Sequence, residues 1–359
     1  MRLKLEARPE PSRRMRLLSP LLAVALTLLS GLLLAPVLAM DPLAAFHAFF
    51  IAPIDDRYGL GELLLKATPL ALIGIGLAVG FRANVWNIGA EGQLTLGAIT
   101  GGALALAFHD LDAGWLLPAM LLAGMLGGMT WAAIPALLRT RFNTNEILVS
   151  LMLNYVALLL LSYLVHGPLR DPTGFNFPES RLFHDAALLP VLLNGTRLHA
   201  GALLALAAVL LGWLFLRYSF TGFQMRVSGL AQPAALYAGF SRPRTVWIGL
   251  LAGGAAAGLA GLGEVAGPIG QLVPNISPGY GYAAIIVAFV GRLHPVGVLL
   301  ASLLMSLLYL GGESAQMQLG LPAAVTGVFQ GILLFFLLAC DLFVNYRVRR
   351  LPPVAGATP

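Results

Sequence analysis

The chain has 359 residues, of which 58% are hydrophobic and only 11% charged, and its mean hydropathy is +0.83. Soluble domains carry roughly 25% charged residues, so the composition excludes a soluble protein, and repeated apolar runs near the ~20 residues of a bilayer crossing indicate helices rather than a barrel. The net charge of +6 does not indicate nucleic-acid binding, because its basic residues sit at the ends of apolar runs, where cytoplasmic flanks carry them.

In chain order, residues 1–16 form a basic N-terminus with Arg2, Lys4, Arg8, Arg13, Arg14 and Arg16. The apolar run 17–40 is too long for a usual signal peptide, although residues 37–39 would pass as a cleavage site, and it reads as an uncleaved first helix. Ten spans are expected, at about 17–40, 62–81, 88–108, 115–138, 146–165, 199–217, 246–262, 280–291, 295–311 and 321–344. Together they make an all-α polytopic domain over 17–344, with a cytoplasmic tail at 345–359. With both termini inside, 17 basic residues face the cytoplasm and five face outward, as positive charge distributes in membranes. Cys340, the one cysteine, lies in the last run, so no disulfide framework exists.

The outer loop 166–198 is rich in turn residues and reads either as a docking surface or as a plain surface loop. Glu264 and Glu313 follow spans and are expected to be exposed at the outer mouth. Asn143-Thr144-Asn145-Glu146 has the pattern of a helix cap. The inner loop 218–245 differs from the others. Pro233 fits the first turn of a short helix, Ala234-Ala235-Leu236-Tyr237-Ala238, which Gly239 ends. A short, mildly apolar helix held outside the bilayer suggests a knob for a partner's groove.

The organising stretch is 82–98, where Arg82, Asn84, Asn87, Glu91 and Gln93 interrupt apolar sequence among glycines. Irregular backbone at membrane depth is tolerated only where protein or a water-filled cavity shields it. We therefore expect a broken helix, irregular over 87–97, and a second over 275–282. Spans 2–5 and 7–10 run in opposite senses, and each set holds one such interruption. That arrangement suggests an inverted repeat with a transport site at mid-depth.

Glu91 must face water or a partner, since a carboxylate in the bilayer core costs at least about 2.5 kcal/mol. It reads either as an acceptor or proton site for a polar solute, or as a packing carboxylate that accepts from backbone amides. Asn87, Gln93 and Asn154 can donate and accept, which suits a neutral polar solute. Trp86, Tyr155, Tyr280 and Tyr282 could stack on a flat ring, or could mark the membrane interface. A proton-coupled carrier centred on Glu91 is an alternative. His-Glu-x-x-His, Gly-x-Ser-x-Gly and Cys-x-x-Cys are absent from the sequence, and no metal site is expected. The lysines are Lys4 and Lys66, neither in a P-loop.

Arg82-Ala-Asn-Val-Trp86-Asn87-Ile-Gly89-Ala-Glu91-Gly92-Gln93 resembles the signature of membrane permease subunits of ABC importers for nucleosides and simple sugars. The stretch 144–155, ending in Asn154-Tyr155, resembles a second motif of that family. Arg226, Gly229, Pro233, Ala234, Ala235, Tyr237, Ala238 and Gly239 stand where its cytoplasmic coupling segment does, and Gly279-Tyr280-Gly281-Tyr282 with 283–292 is similar to its late span. The resemblance covers about residues 60–300. It implies a bacterial inner-membrane subunit paired with a second permease, either another copy or a related chain, two cytoplasmic ATPases that use ATP and Mg, and an external binding protein or lipoprotein. It also implies that this chain binds no cofactor and contacts no nucleic acid. Ala231 and Gln232 depart from the polar residues expected before the coupling-helix proline, which leaves partner choice open, and Trp86 stands where phenylalanine is common, which leaves the implied mechanism unchanged.

Overall fold

A computed structural model describes residues 2–8, 12–37, 41–322 and 324–351. Leu38 and Ala39 of the cleavage-site reading lie outside the described residues, as do residues 352–359 of the tail. The elements run β1 (Arg2–Ala7), α1 (Arg13–Val37), α2 (Pro42–Phe46), α3 (Arg57–Arg82), α4 (Ala90–Ala107), α5 (Leu116–Phe142) and α6 (Glu146–His166). They continue as α7 (Gly201–Tyr218), α8 (Phe220–Leu230), α9 (Gln232–Tyr237), α10 (Arg242–Glu264), α11 (Tyr280–Val290), α12 (Pro295–Leu319), α13 (Ala324–Asn345) and β2 (Tyr346–Leu351). Among the described residues, seven helices are long and apolar enough to cross a membrane. Neither α4 nor the eleven-residue α11 is among those seven.

The chain divides into two compact units, residues 1–53 with 308–359 and residues 54–307. In the first, α1 packs along α13, with the Ser19 hydroxyl donating to Asp341 at 2.8 Å. β1 and β2 pair antiparallel, Arg2 opposite Leu351 and Ala7 opposite Tyr346. The signal for this ribbon is the strict alternation of Leu3, Leu5 and Ala7 with Arg2, Lys4 and Glu6, which a reading of the charged residues as flanking tails passes over.

The second unit is built on α3, α4, α5 and α10. Their contacts fix their directions. Gly76 of α3 faces Ala252 and Ala256 while Gly80 faces Gly249, so α3 and α10 are antiparallel. Gly128 of α5 meets Gly254 and Gly258, and Gly124 meets Gly258 and Leu262, so α5 is antiparallel to α10. Gly101 and Gly97 of α4 face Met120 and Gly124, which makes α4 antiparallel to α5 and parallel to α10. Side chains are absent from the seam where Gly97 meets Gly258, and there the two backbones touch. Such close approach replaces the hydrophobic drive that lipid does not supply. The outer helices show the converse: Leu159 of α6 and Leu203 and Leu211 of α7 are exposed, as a lipid face requires.

Local chemistry accounts for most helix starts. Asp56 caps α3 by accepting from Gly59 N–H at 2.6 Å, Asn145 caps α6 through Ile147 N–H at 2.9 Å, and Ser219 caps α8 through Gly222 N–H at 2.8 Å. Three expectations need correction. The segment 312–320, which the expected spans 295–311 and 321–344 leave as a connecting loop, is helical to Leu319. The irregular stretch expected at 87–97 spans 83–89 instead, and α4 begins at Ala90. The irregularity expected at 275–282 ends at Gly279, with α11 beginning at Tyr280. In the last two cases polar residues and glycines read as helix breakers, but Glu91, Gly92 and Gln93 of α4 and Gly281 of α11 occupy a first helical turn, where unpaired N–H groups need polar partners.

Candidate functional site

The site grows from the end of α3. Ala83 and Asn84 N–H bond to Gly80 and Phe81 carbonyls, and Asn84 takes a left-handed conformation (φ 57°), which turns the chain back on itself. Residues 83–89 then climb beside α3 until the Asn87 side chain lies against Gly253, which also faces Leu77. Asn87 and Gln93 pair their amides, Asn87 Nδ2 donating to Gln93 Oε1 at 2.9 Å and Gln93 Nε2 donating to Asn87 Oδ1 at 3.1 Å. Asn87 Oδ1 also accepts from Gly89 N–H at 3.0 Å. The backbone finds its partners on α6: Ile88 N–H donates to Ser150 Oγ at 3.2 Å, and Ile88 C=O accepts from Asn154 Nδ2 at 2.9 Å.

Asn154 does more than hold the loop. Gly89, at the N-cap of α4, has no side chain with which to cap it. Asn154 Oδ1 accepts from Gly92 N–H at 2.9 Å and so caps α4 from another helix, while its Nδ2 also donates to Tyr282 Oη at 3.1 Å.

Glu91 makes the reciprocal contact. Its Oε2 accepts from Gly281 N–H at 2.7 Å, in the first turn of α11. Ser277 Oγ accepts from Gly279 and Tyr280 N–H at 3.1 and 2.9 Å, so the free donors of α11 are shared between these two residues. Gly281 must be glycine here, since a methyl group would collide with the Glu91 amide nitrogen.

Helix direction gives this contact its meaning. Gly74 of α3 faces Ala284 and Val287, while Phe81 stacks on Phe289 at 5.3 Å, so α11 runs parallel to α3. Because α4 is antiparallel to α3, α4 and α11 meet N-terminus to N-terminus. At 1.5 Å per residue, Gly281 lies about level with residue 70 of α3, near the middle of that helix. The positive ends of two helices therefore converge on one buried carboxylate at mid-depth.

The expected solute-facing residues separate into two groups. Asn87, Glu91, Gln93, Asn154 and Tyr280 are buried, whereas Tyr155 and Tyr282 are 58% and 38% exposed. Trp86 is half-buried, its Nε1 donating to Asn84 Oδ1 at 2.9 Å and its ring stacked on Phe289. Sequence reasoning gave no role to Ser150, Ser277 and Gly253, although Ser150 lies within the 144–155 motif and Ser277 within the expected break at 275–282. Glu264, expected to be exposed, is buried. The cause is that α10 continues to that residue and the segment 180–189 pairs its backbone with 266–272 over it. Glu313 is exposed, as expected.

At the arginine-rich end, α9 begins with Gln232 and Pro233 and is closed by Gly239 (φ 77°). Ala235 is buried, while Pro233, Ala234, Leu236, Tyr237 and Ala238 are exposed, Tyr237 at 97%. Arg226 Nη2 donates to Leu216 C=O at 2.8 Å, and Gly229 lets α8 rest on the Arg82 carbonyl. A cavity of about 390 Å³ lies beneath α9, lined by Asn84, Trp86, Arg139, Glu146, Gly229 and Arg242 among others. Arg139 Nε pairs with Glu146 there at 3.2 Å. The 83–86 turn and α9 thus share one cavity. No group of His, Cys, Asp and Glu able to hold a metal occurs among the described residues.

Residues 59–338 match the family described as "Branched-chain amino acid transport system / permease component". The chain is 39% identical over 340 residues to the glucose ABC transporter permease protein TsgB13 of Haloferax volcanii, covering 92% of this chain and 89% of that protein. It is 33% identical over 328 residues to the guanosine ABC transporter permease protein NupP of Bacillus subtilis, covering 90% and 93%. With the nucleoside ABC transporter permease protein NupB of Lactococcus lactis subsp. cremoris it shares 28% identity over 333 residues, covering 90% of each. No solved structure matches.

Proposed function

This chain belongs to the family of transport-system permease components, and we propose that it forms the membrane path of an ATP-driven importer of nucleosides or related simple sugars. It performs no covalent chemistry. Separate cytoplasmic ATPase subunits consume ATP and Mg, a second permease subunit completes the path, and an external binding protein or lipoprotein delivers the solute. In this reading ten spans cross the bacterial inner membrane with both termini in the cytoplasm. Residues 17–344 are the permease domain, 218–245 its coupling loop, and 1–16 and 345–359 its cytoplasmic ends.

The observation that carries this reading is the junction of α4 and α11. Interrupted helices whose N-termini meet at mid-depth are the arrangement in which transporters place a solute site. The opposed directions of α4 and α11 support an inverted repeat of spans 2–5 and 7–10, since these helices hold equivalent places in the two sets. Within it, the buried Asn87, Gln93, Asn154 and Glu91 hold the junction, and the exposed rings of Tyr155 and Tyr282, with Trp86 nearer the arginine-rich end, present stacking surfaces to a ring-shaped solute. Weak contact suits a path loaded by a receptor.

Residues 233–239 couple the path to ATP hydrolysis. The exposed face of α9 enters the ATPase groove, and its movement reaches the 83–86 turn through the shared cavity and the Gly229–Arg82 contact. The test is uptake of radiolabelled nucleosides and sugars into vesicles holding this chain with its partner permease, ATPase and receptor. We expect uptake that requires ATP and disappears when residues 233–239 are replaced by a flexible linker. Uptake that persists without ATP and collapses with the proton gradient would overturn the reading in favour of a proton-coupled carrier.

A further inference from the structure

A second cavity, of about 540 Å³, opens at the arginine-rich end between α3, α7, α8 and the α11–α12 turn. Its lining includes Arg82, Arg217, Arg226 and His294, with Trp213 and Leu230, and no carboxylate contributes to it. Three permanent cations around one cavity repel one another unless an anion joins them.

Two of these cations are anchored. Arg82 Nε donates to Leu293 C=O at 2.9 Å and Arg226 Nη2 donates to Leu216 C=O at 2.8 Å, so each guanidinium is fixed by one bond and keeps further N–H donors in its planar fork. Leu293 and the preceding Arg292 both adopt left-handed backbone (φ 53° and 57°), an uncommon pair for residues with side chains. That turn brings the Leu293 carbonyl to Arg82. Partial burial and then the Arg82 charge both hold His294 below the usual histidine range.

The rim identifies the level at which the cavity opens. Leu230 of the lining is an exposed large apolar residue, and so is Tyr218 at the end of α7, whose ring meets the lining residue Trp213 edge-on at 5.5 Å. Aromatic side chains beside arginines at helix ends are the signature of the membrane–water boundary. Basic pockets between helices at that depth are suited to phosphate headgroups.

The geometry points to a binding site for the phosphate of an anionic phospholipid, held between Arg82, Arg217 and Arg226 with its acyl chains leaving past the rim. This site would tie the ends of α3 and α7 to α8, the helix that leads into α9.

The test is native mass spectrometry of the full-length permease, stripped to neutral detergent and titrated separately with phosphatidylglycerol, phosphatidylcholine, inorganic phosphate and ATP. At roughly a fivefold change in affinity per basic residue near the surface, Arg217→Gln with Arg226→Gln should weaken phosphatidylglycerol about thirtyfold. Arg141→Gln with Arg244→Gln removes the same charge away from the cavity and should change it by less than about threefold. Arg226→Lys should retain most of the binding, and Arg217→Gln alone, at an exposed helix end, should lose about fivefold without opening a core. Equal weakening in the cavity and control pairs would overturn the proposal, as would equal binding of phosphatidylcholine. Saturation by phosphate or ATP in place of lipid would identify a soluble anion and overturn the lipid assignment.

Discussion

Replacing Glu91 separates its two readings. Its carboxylate accepts from the Gly281 N–H at 2.7 Å inside the helix junction. In Glu91→Ala that donor loses its acceptor in a buried setting, at a cost of about 1–3 kcal/mol. Glu91→Gln keeps an oxygen of nearly the same reach. It weakens a charge-assisted bond to a neutral one, but it also removes the cost of burying a charge, so the net change should stay within about 1 kcal/mol. The assay is thermal unfolding of the purified protein with solute uptake measured on the same variants. We expect Glu91→Ala to lower both stability and uptake strongly and Glu91→Gln to retain most of each. Equal and complete loss of uptake in both, with both proteins as stable as the parent, would refute the capping role and require an essential negative charge or a transferable proton.

Three further outcomes follow from the same geometry. Gly281→Ala places a methyl group against the Glu91 backbone and should cost about 1–3 kcal/mol of stability, read as a lower melting temperature, whereas alanine at Gly327, where a Cβ meets nothing, should leave it unchanged. Asn154→Ala removes the acceptor of Gly92 N–H and the donor to Ile88 C=O, so it should destabilise by about 2 kcal/mol or more, and Asn154→Asp, which keeps only the acceptor, should fall between it and the parent. Tyr237→Ala changes a side chain that is 97% exposed, so melting should stay within about 0.5 kcal/mol of the parent while ATP-driven uptake falls several-fold. Unchanged uptake in that variant would remove Tyr237 from the coupling surface.

Periodicity and composition were sufficient for the helical membrane class, because a bilayer leaves a chain few ways to satisfy its backbone. Cap chemistry was equally local. Asn145 before Glu146 and Pro233 with Gly239 mark ends that the structure places within a residue or two, since each acts on backbone only a few positions away. The polar residues of 84–93 could be located as one cluster for the same reason.

The partners of those residues were not legible. The distance from Gly92 to Asn154 is 62 positions in sequence and from Glu91 to Gly281 it is 190, and no local pattern connects them. Sequence therefore left the role of Glu91 open between solute binding and packing, and read the glycines of 87–97 as a break in a helix. Tertiary structure placed Gly92 in the first turn of α4, whose unpaired N–H groups find Asn154 of α6, and Gly97 in the mid-helix seam with α10. Residue chemistry alone determined that a carboxylate and three amides lie within the membrane domain. Helix packing decided that they cap one another at mid-depth, since only the directions of α3, α4, α10 and α11 bring two N-termini to the same point.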